Sequence, residues 1–366
     1  MAVYTSINDS SVHFQNTLYV GNGTNAQDIT NTGNANLQPD LLWIKNRSSN
    51  SNTIWQDSSR GINKQFFTDT NNSEYTDGNW GHVNSVATDG FQVDVGNNAS
   101  EGNANKNGDN YIAWQWKGNG GTSASNSNGS ITSSVQVNTA AGFSTILYTA
   151  TGSNATIGHG LSQTPELIIT KGRSDNHSWI VGCTHDSSDL SKVFVMNAND
   201  ASVTATGNYR GIAPTSTVYS IGTSGGNNST GGGGLYVAYA FHSVQGYSKF
   251  GSYTGNNNTD GPFVYTGFKP AFVLIKRRDS TGNWYVYDTA RNGSSGSNTN
   301  QAHRILYAND ASSEVDNTSR GIDMISHGFK VRNTLGDTNA DGGTYMYWSF
   351  ASSPFVSSAG VPTTAR

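Results

Sequence analysis

Two short segments place an aspartate three residues ahead of an arginine directly after an apolar run: "IWQDSSRG", with Asp57 and Arg60, and "VYDTARNG", with Asp288 and Arg291. A carboxylate beside a guanidinium can hold a ligand carboxylate or a sugar diol. At the end of a strand it more often locks its own loop, and the related stretch "WIVGCTHDSS" lacks the pair. Paired-carboxylate hydrolysis needs positioned acids, yet the chain has only four glutamates: Glu74, Glu101, Glu166 and Glu314. His159 in "GHG" reads as a turn residue rather than a base. No G-x-S-x-G elbow, H-E-x-x-H pair or phosphate-cradling glycine loop occurs. "DTNADGG", from Asp337 to Gly343, begins like an EF-hand calcium loop, but its twelfth position is Trp348 instead of the bidentate glutamate. Asx-rich turn chemistry accounts for it. The chain is therefore read as a non-enzyme with no catalytic residues, no metal site and no cofactor.

Binding is easier to host. Tyr75, Trp80 and His82 in "SEYTDGNWGHV", with Tyr209 and Arg210 in "GNYRG", are candidate ligand contacts, because aromatic faces among amides suit the apolar faces and hydroxyl rims of sugars.

The elements that must position these residues follow from composition. Charged residues make up 13% of the 366, against about 25% in an ordinary soluble protein, while glycine and asparagine each occur 43 times. A net charge of -4 with scattered Lys and Arg offers no basic stripe, so nucleic acid is not an expected partner. No stretch approaches the ~18 apolar residues of a membrane span, and the opening residues carry no signal-peptide pattern, which together suggest a chain made soluble in a cytoplasm. With Cys183 alone there is no disulfide framework.

Short runs of Val, Ile, Tyr, Phe and Trp alternate with Asn/Gly/Ser/Thr stretches, and no apolar pattern at helical spacing persists. This is an all-β chain. Four features recur in order three times. A tyrosine strand runs into a turn ("LYVGNG", "LYTATG", "SYTGNN"). A proline-led apolar strand ends on Lys-x-Arg ("PDLLWIKNR", "PELIITKGR", "PAFVLIKRR"). A short strand follows a turn ("DGFQV", "VYSIG", "HGFKV"), and an aromatic strand closes the unit ("YIAWQW", "YVAYAF", "YMYWSF"). The expected organisation is an N-terminal arm at 1–13, sandwich repeats at 14–117, 142–245 and 246–351, a flexible Gly/Ser/Asn linker at 118–141 and a C-terminal tail at 352–366. The linker should let the first repeat move against a more rigid second and third, and the two ends would serve as docking arms. In the closing strands Ile112, Trp114 and Trp116, Val237, Tyr239 and Phe241, and Met346, Trp348 and Phe350 form an apolar face, read as core. Arg47, Arg173 and Arg278 end the same strand in each copy, which argues for an architectural role.

The phrases "LYVGNG", "LQPDLLWIKNRS", "DGFQV" and "NYIAWQWK", echoed by "QGYSKFGSYTGN" and "GFKPAFVLIKRRDS", resemble a family of repeated β-sandwich proteins of tailed, mainly marine, bacteriophages. The resemblance implies concanavalin-like lectin or jelly-roll sandwiches and a place on the virion as a tail-fibre-like structural protein. A receptor-binding adhesin for host surface glycans is the leading expectation. Capsid decoration or a head fibre is second, and a polysaccharide depolymerase third. Expected partners are other virion proteins, a glycan, and further copies of the chain, a trimer by analogy with fibres.

Overall fold

The computed structural model describes residues 4–76, 78–98, 102–292 and 300–363. Three large antiparallel sheets carry the architecture, and the same strand order runs through each. In the first, Phe14–Val20 pairs with Asn110–Trp116, followed by Leu41–Asn46, Ile54–Asp57 and Gln65–Phe67. The second repeats this with Phe143–Thr149, Leu235–Phe241, Leu167–Gly172, Ile180–Cys183 and Lys192–Val195. The third does so with Ser248–Thr254, Thr344–Pro354, Phe268–Arg277, Tyr285–Asp288 and Arg304–Tyr307.

Each large sheet is covered on one face by a small one: Gln27–Ile29, His82–Ala87 and Gly90–Asp94 over the first, Ala155–Gly158 and Val218–Ile221 over the second, and four strands including Phe263–Tyr265 and Gly328–Val331 over the third. A separate apolar core fills each layer pair. Leu42, Ile44 and Tyr111 meet Phe91 and Val93 in the first; Tyr236 and Ala238 meet Tyr219 and Ile221 in the second; Tyr345 and Tyr347 meet Phe329 and Val331 in the third.

The opposite faces of the three large sheets meet one another. Trp43, Trp55, Trp114, Trp116, Trp179, Tyr239, Phe241, Trp284, Trp348 and Phe350 belong to one shared core. The closing-strand face expected to be core is core, but its neighbours come from the other two sheets. Because the second face of each strand is buried inside its own layer pair, these strands are covered on both sides, which explains their unbroken apolar runs.

Polar contacts across the three sheet boundaries follow a cycle. Lys45 Nζ in the first sheet donates to the Asp310 carbonyl in the third at 2.7 Å; Lys171 Nζ in the second donates to Asn71 in the first at 3.1 Å; Lys276 Nζ in the third donates to Asn199 in the second at 3.2 Å. Two residues on, Arg47 makes a bidentate pair with Glu314 at 2.8 Å in both bonds, Arg173 with Glu74 at 2.9 and 3.2 Å, and Arg278 reaches Asp186 at 2.6 Å. First holds third, third holds second, second holds first. Head-to-tail contacts of this kind close when the rotations sum to a full turn, and here they close within one chain. The architectural reading of the three arginines thus acquires a specific geometry.

Three expectations change. Residues 118–141 are not a free spacer: Ala124–Asn126 and Ser133–Asn138 extend the second sheet beyond Phe143–Thr149. The Asp40 carboxylate accepts from the N–H groups of Gly118, Gly120 and Gly121 at 2.7 to 2.9 Å, and Gly120 and Gly121 take φ of 61° and 77°, where glycine is free of the Cβ penalty. The first segment is not a loosely hung body, since it is bonded to both others. The terminal residues pack down as well: Ile7 is buried in the shared core, Thr5 bonds to Gln245, and Asn8 and Ser358 exchange hydrogen bonds.

Candidate functional site

Tyr75 and Trp80 meet edge to face, with ring centres 5.1 Å apart, over Phe67 at the rim of the first layer pair. Tyr75 is fixed by reciprocal backbone bonds with Gln65, and His82 begins the strand that follows. Burial lowers the pKa of the His82 imidazole, with the Asp94 charge opposing, and all three side chains keep partial exposure. Tyr209 is different. It is 0% exposed in the second core, and its hydroxyl lies 3.0 Å from Thr170 Oγ1, so it supports the fold and presents nothing to a ligand. Arg210 caps the short helix Thr206–Tyr209 in a left-handed conformation, φ 64°. No contact among the described residues brings Tyr209 or Arg210 to Tyr75, so the five do not form one site.

The two Asp-Arg pairs are fully buried at sheet boundaries. Arg60 bonds to Asp57, to Glu74 and to the Trp55 carbonyl, while Tyr239 from the second sheet donates to Asp57. Arg291 bonds in the same manner to Asp288, Glu314 and Val286, and Trp114 Nε1 from the first sheet donates to Asp288 at 3.1 Å. With Arg173 or Arg47 added, each cluster holds two acids and two guanidiniums. At the third boundary Cys183 occupies the register position of the aspartates, a single Asp186–Arg278 pair remains, and Trp348 Nε1 has no hydrogen-bond partner. Each of these guanidiniums faces a carboxylate, the pairing that a buried charge requires. These clusters therefore hold sheets together.

Two further candidates lie elsewhere in the fold. Asp337 Oδ2 accepts from Tyr285 in a short helical turn, Gly336–Asn339, and among the described residues no group of three or more His, Cys, Asp or Glu is arranged to hold a metal ion. His159 is buried with its pKa lowered to about 4, chiefly by burial; Nδ1 accepts from Leu161 N–H and Nε2 faces the Thr215 carbonyl.

A surface concavity lies elsewhere, where the N-terminal residues meet the second and third segments. It measures about 660 Å³ and is lined by residues including Tyr4, Gln163, His242, Gln245, Lys249 and Tyr265. Beside it, a depression of about 710 Å³ shares Gln163, His242 and Ser243 and includes Glu166, whose carboxylate meets His185 and the Ser243 N–H. Sequence reading missed this region because its lining comes from five separated stretches. The one available signal was "FVY" at 263–265, in which two aromatics two residues apart share a strand face.

Comparison with curated proteins finds no match, and comparison with solved structures finds none. One family model, described as a domain of unknown function (DUF7483), matches residues 9–354, spanning all three large sheets. The chain belongs to the DUF7483 family.

Proposed function

We propose that this chain is a structural protein of a bacteriophage surface, built from three tandem lectin-like β-sandwich repeats closed into a ring, and that it serves as a tail-fibre-type adhesin contacting host surface glycans. The observation that carries the proposal is the cycle of Lys and Arg contacts joining each large sheet to the next. Such a body keeps its shape without a partner and leaves its loops free for recognition. Its low charge and wealth of Asn, Gly, Ser and Thr suit an exposed particle surface. The threefold arrangement expected of a fibre from three copies is supplied here by one chain, attached to other virion proteins. Its role is binding rather than catalysis.

Capsid decoration is the second reading, favoured by one feature. Phe14–Val20 is the edge strand of the first sheet, and Leu18 and Val20 on it are 42% and 54% exposed. An apolar edge strand is suited to pairing with another chain. Cryo-electron microscopy of intact particles separates the two: density at the tail tip with loops outward supports the adhesin, and an array over the capsid with Phe14–Val20 against the shell supports decoration. Absence from the particle would overturn both.

A further inference from the structure

We infer that the groove of about 660 Å³ bounded by Tyr4, Gln163, His242, Gln245, Lys249 and Tyr265 is a carbohydrate-binding site. The inference deepens the adhesin reading and rests on it for the source of the glycan.

The wall of the groove continues into an exposed aromatic surface. In the strand Phe263–Tyr265 the middle residue, Val264, is buried, while Phe263 and Tyr265 on the opposite side are 44% and 54% exposed. His327 lies 5.0 Å from Phe263 and 6.1 Å from Tyr265 by ring centres, and Phe355 lies 5.4 Å from His327. Exposed rings contiguous on one surface are unusual unless something covers them. Tyr265 is held at the groove mouth: its hydroxyl lies 3.3 Å from that of Tyr4, which in turn donates to the Gly267 carbonyl at 2.8 Å. The platform is thus fixed before any ligand arrives, which limits the ordering cost of binding.

The groove itself is polar, with amides from Gln163 and Gln245 and an ammonium from Lys249. His242 is 3% exposed, and its Nδ1 lies 2.9 Å from the Ser243 carbonyl, which can only accept, so Nδ1 carries the proton. The lining therefore combines a flat apolar ring, amides and one cation. A pyranose meets all of these, with C–H faces for Tyr265 and hydroxyls for the amides. A single lysine is too little for a phosphate-dense ligand, and the polar lining does not suit a purely apolar one.

The test uses the full chain on a printed array of neutral and uronic-acid oligosaccharides, followed by saturation-transfer NMR on the strongest probe. Tyr265→Ala and Gln163→Ala alter exposed side chains, and Trp80→Ala alters the rival Tyr75–Trp80 patch. Binding by the wild type that weakens about tenfold or more in Tyr265→Ala and Gln163→Ala, but not in Trp80→Ala, supports the groove. Binding that is lost only in Trp80→Ala overturns the groove while the adhesin reading stands on the Tyr75–Trp80 patch. No oligosaccharide bound by the wild type overturns the groove as well, and the adhesin reading is then decided by the chain's position on the particle.

Discussion

The Tyr239 hydroxyl, in the closing strand of the second sheet, donates to Asp57 Oδ2 in the first sheet at 2.6 Å, and both residues are fully buried. The aspartate is shared between its own arginine and its neighbour's tyrosine, so one carboxylate serves a local turn and a long-range boundary together. Tyr239→Phe removes a single bond to a charged group and keeps the ring. It is expected to destabilise the whole chain by about 1.5–3 kcal/mol, measured by denaturant unfolding. A change confined to a fraction of the signal would show that the boundary is not coupled to the rest.

Lys45, Lys171 and Lys276 stand at matching positions, and burial lowers their pKa values to about 8, 7 and 8 against the ordinary 10.5. For Lys171 the Arg60 charge adds to the effect; for Lys45 the charges of Asp69 and Asp310 oppose it. Between the folded and unfolded values the unfolded chain binds more protons, so stability rises with pH from about 7 toward 10. The denaturation midpoint should climb across that range, and Lys171→Met should flatten the climb. A midpoint that falls between pH 7 and 9.5 would contradict the buried-ammonium account.

On the acid side, burial tends to raise the Glu74 and Glu314 carboxyls, but their arginine partners outweigh it and hold both below the ordinary 4.5. The stability these groups supply is complete above that value and is lost as the pH falls through their lowered folded pKa values. Acid unfolding followed by tryptophan fluorescence should therefore begin below about pH 4.5. Glu314→Gln, which strips Arg47 and Arg291 of a charged partner, should cost about 3–5 kcal/mol at neutral pH and weaken the acid dependence.

Cys183 lies in the shared core, and burial pushes its thiol pKa up to about 12. Thiolate-directed reagents should therefore label it only when the boundary between the second and third sheets opens. Labelling in native buffer is expected to match the global unfolding rate, and Asp186→Asn, which removes the carboxylate facing Arg278, should speed it.

Strand type and the apolar faces were legible because both follow from period-two alternation, a local property. Trp114 and Trp116 are core as their spacing implies, but alternation cannot tell which element covers a face. Here the cover is the other two sheets on one side and a small sheet on the other, so Gln115, on the opposite face of that strand, is buried too. Composition misled at 118–141, where glycines with positive φ build a defined turn around Asp40 rather than a loose tether. It misled again at Tyr209, whose amide-rich neighbours suggest a loop while its ring fills the second core. The aromatic groove escaped notice because Phe263 and Tyr265 look like ordinary core residues until Val264 is seen to be the one pointing inward.

Closure of the three sheets into one body is tested most directly by differential scanning calorimetry of the intact chain. A ring in which each sheet holds the next predicts one transition, with calorimetric and van't Hoff enthalpies in agreement. Two or more separable transitions, above all one assigned to residues 14–117 melting alone, would contradict it.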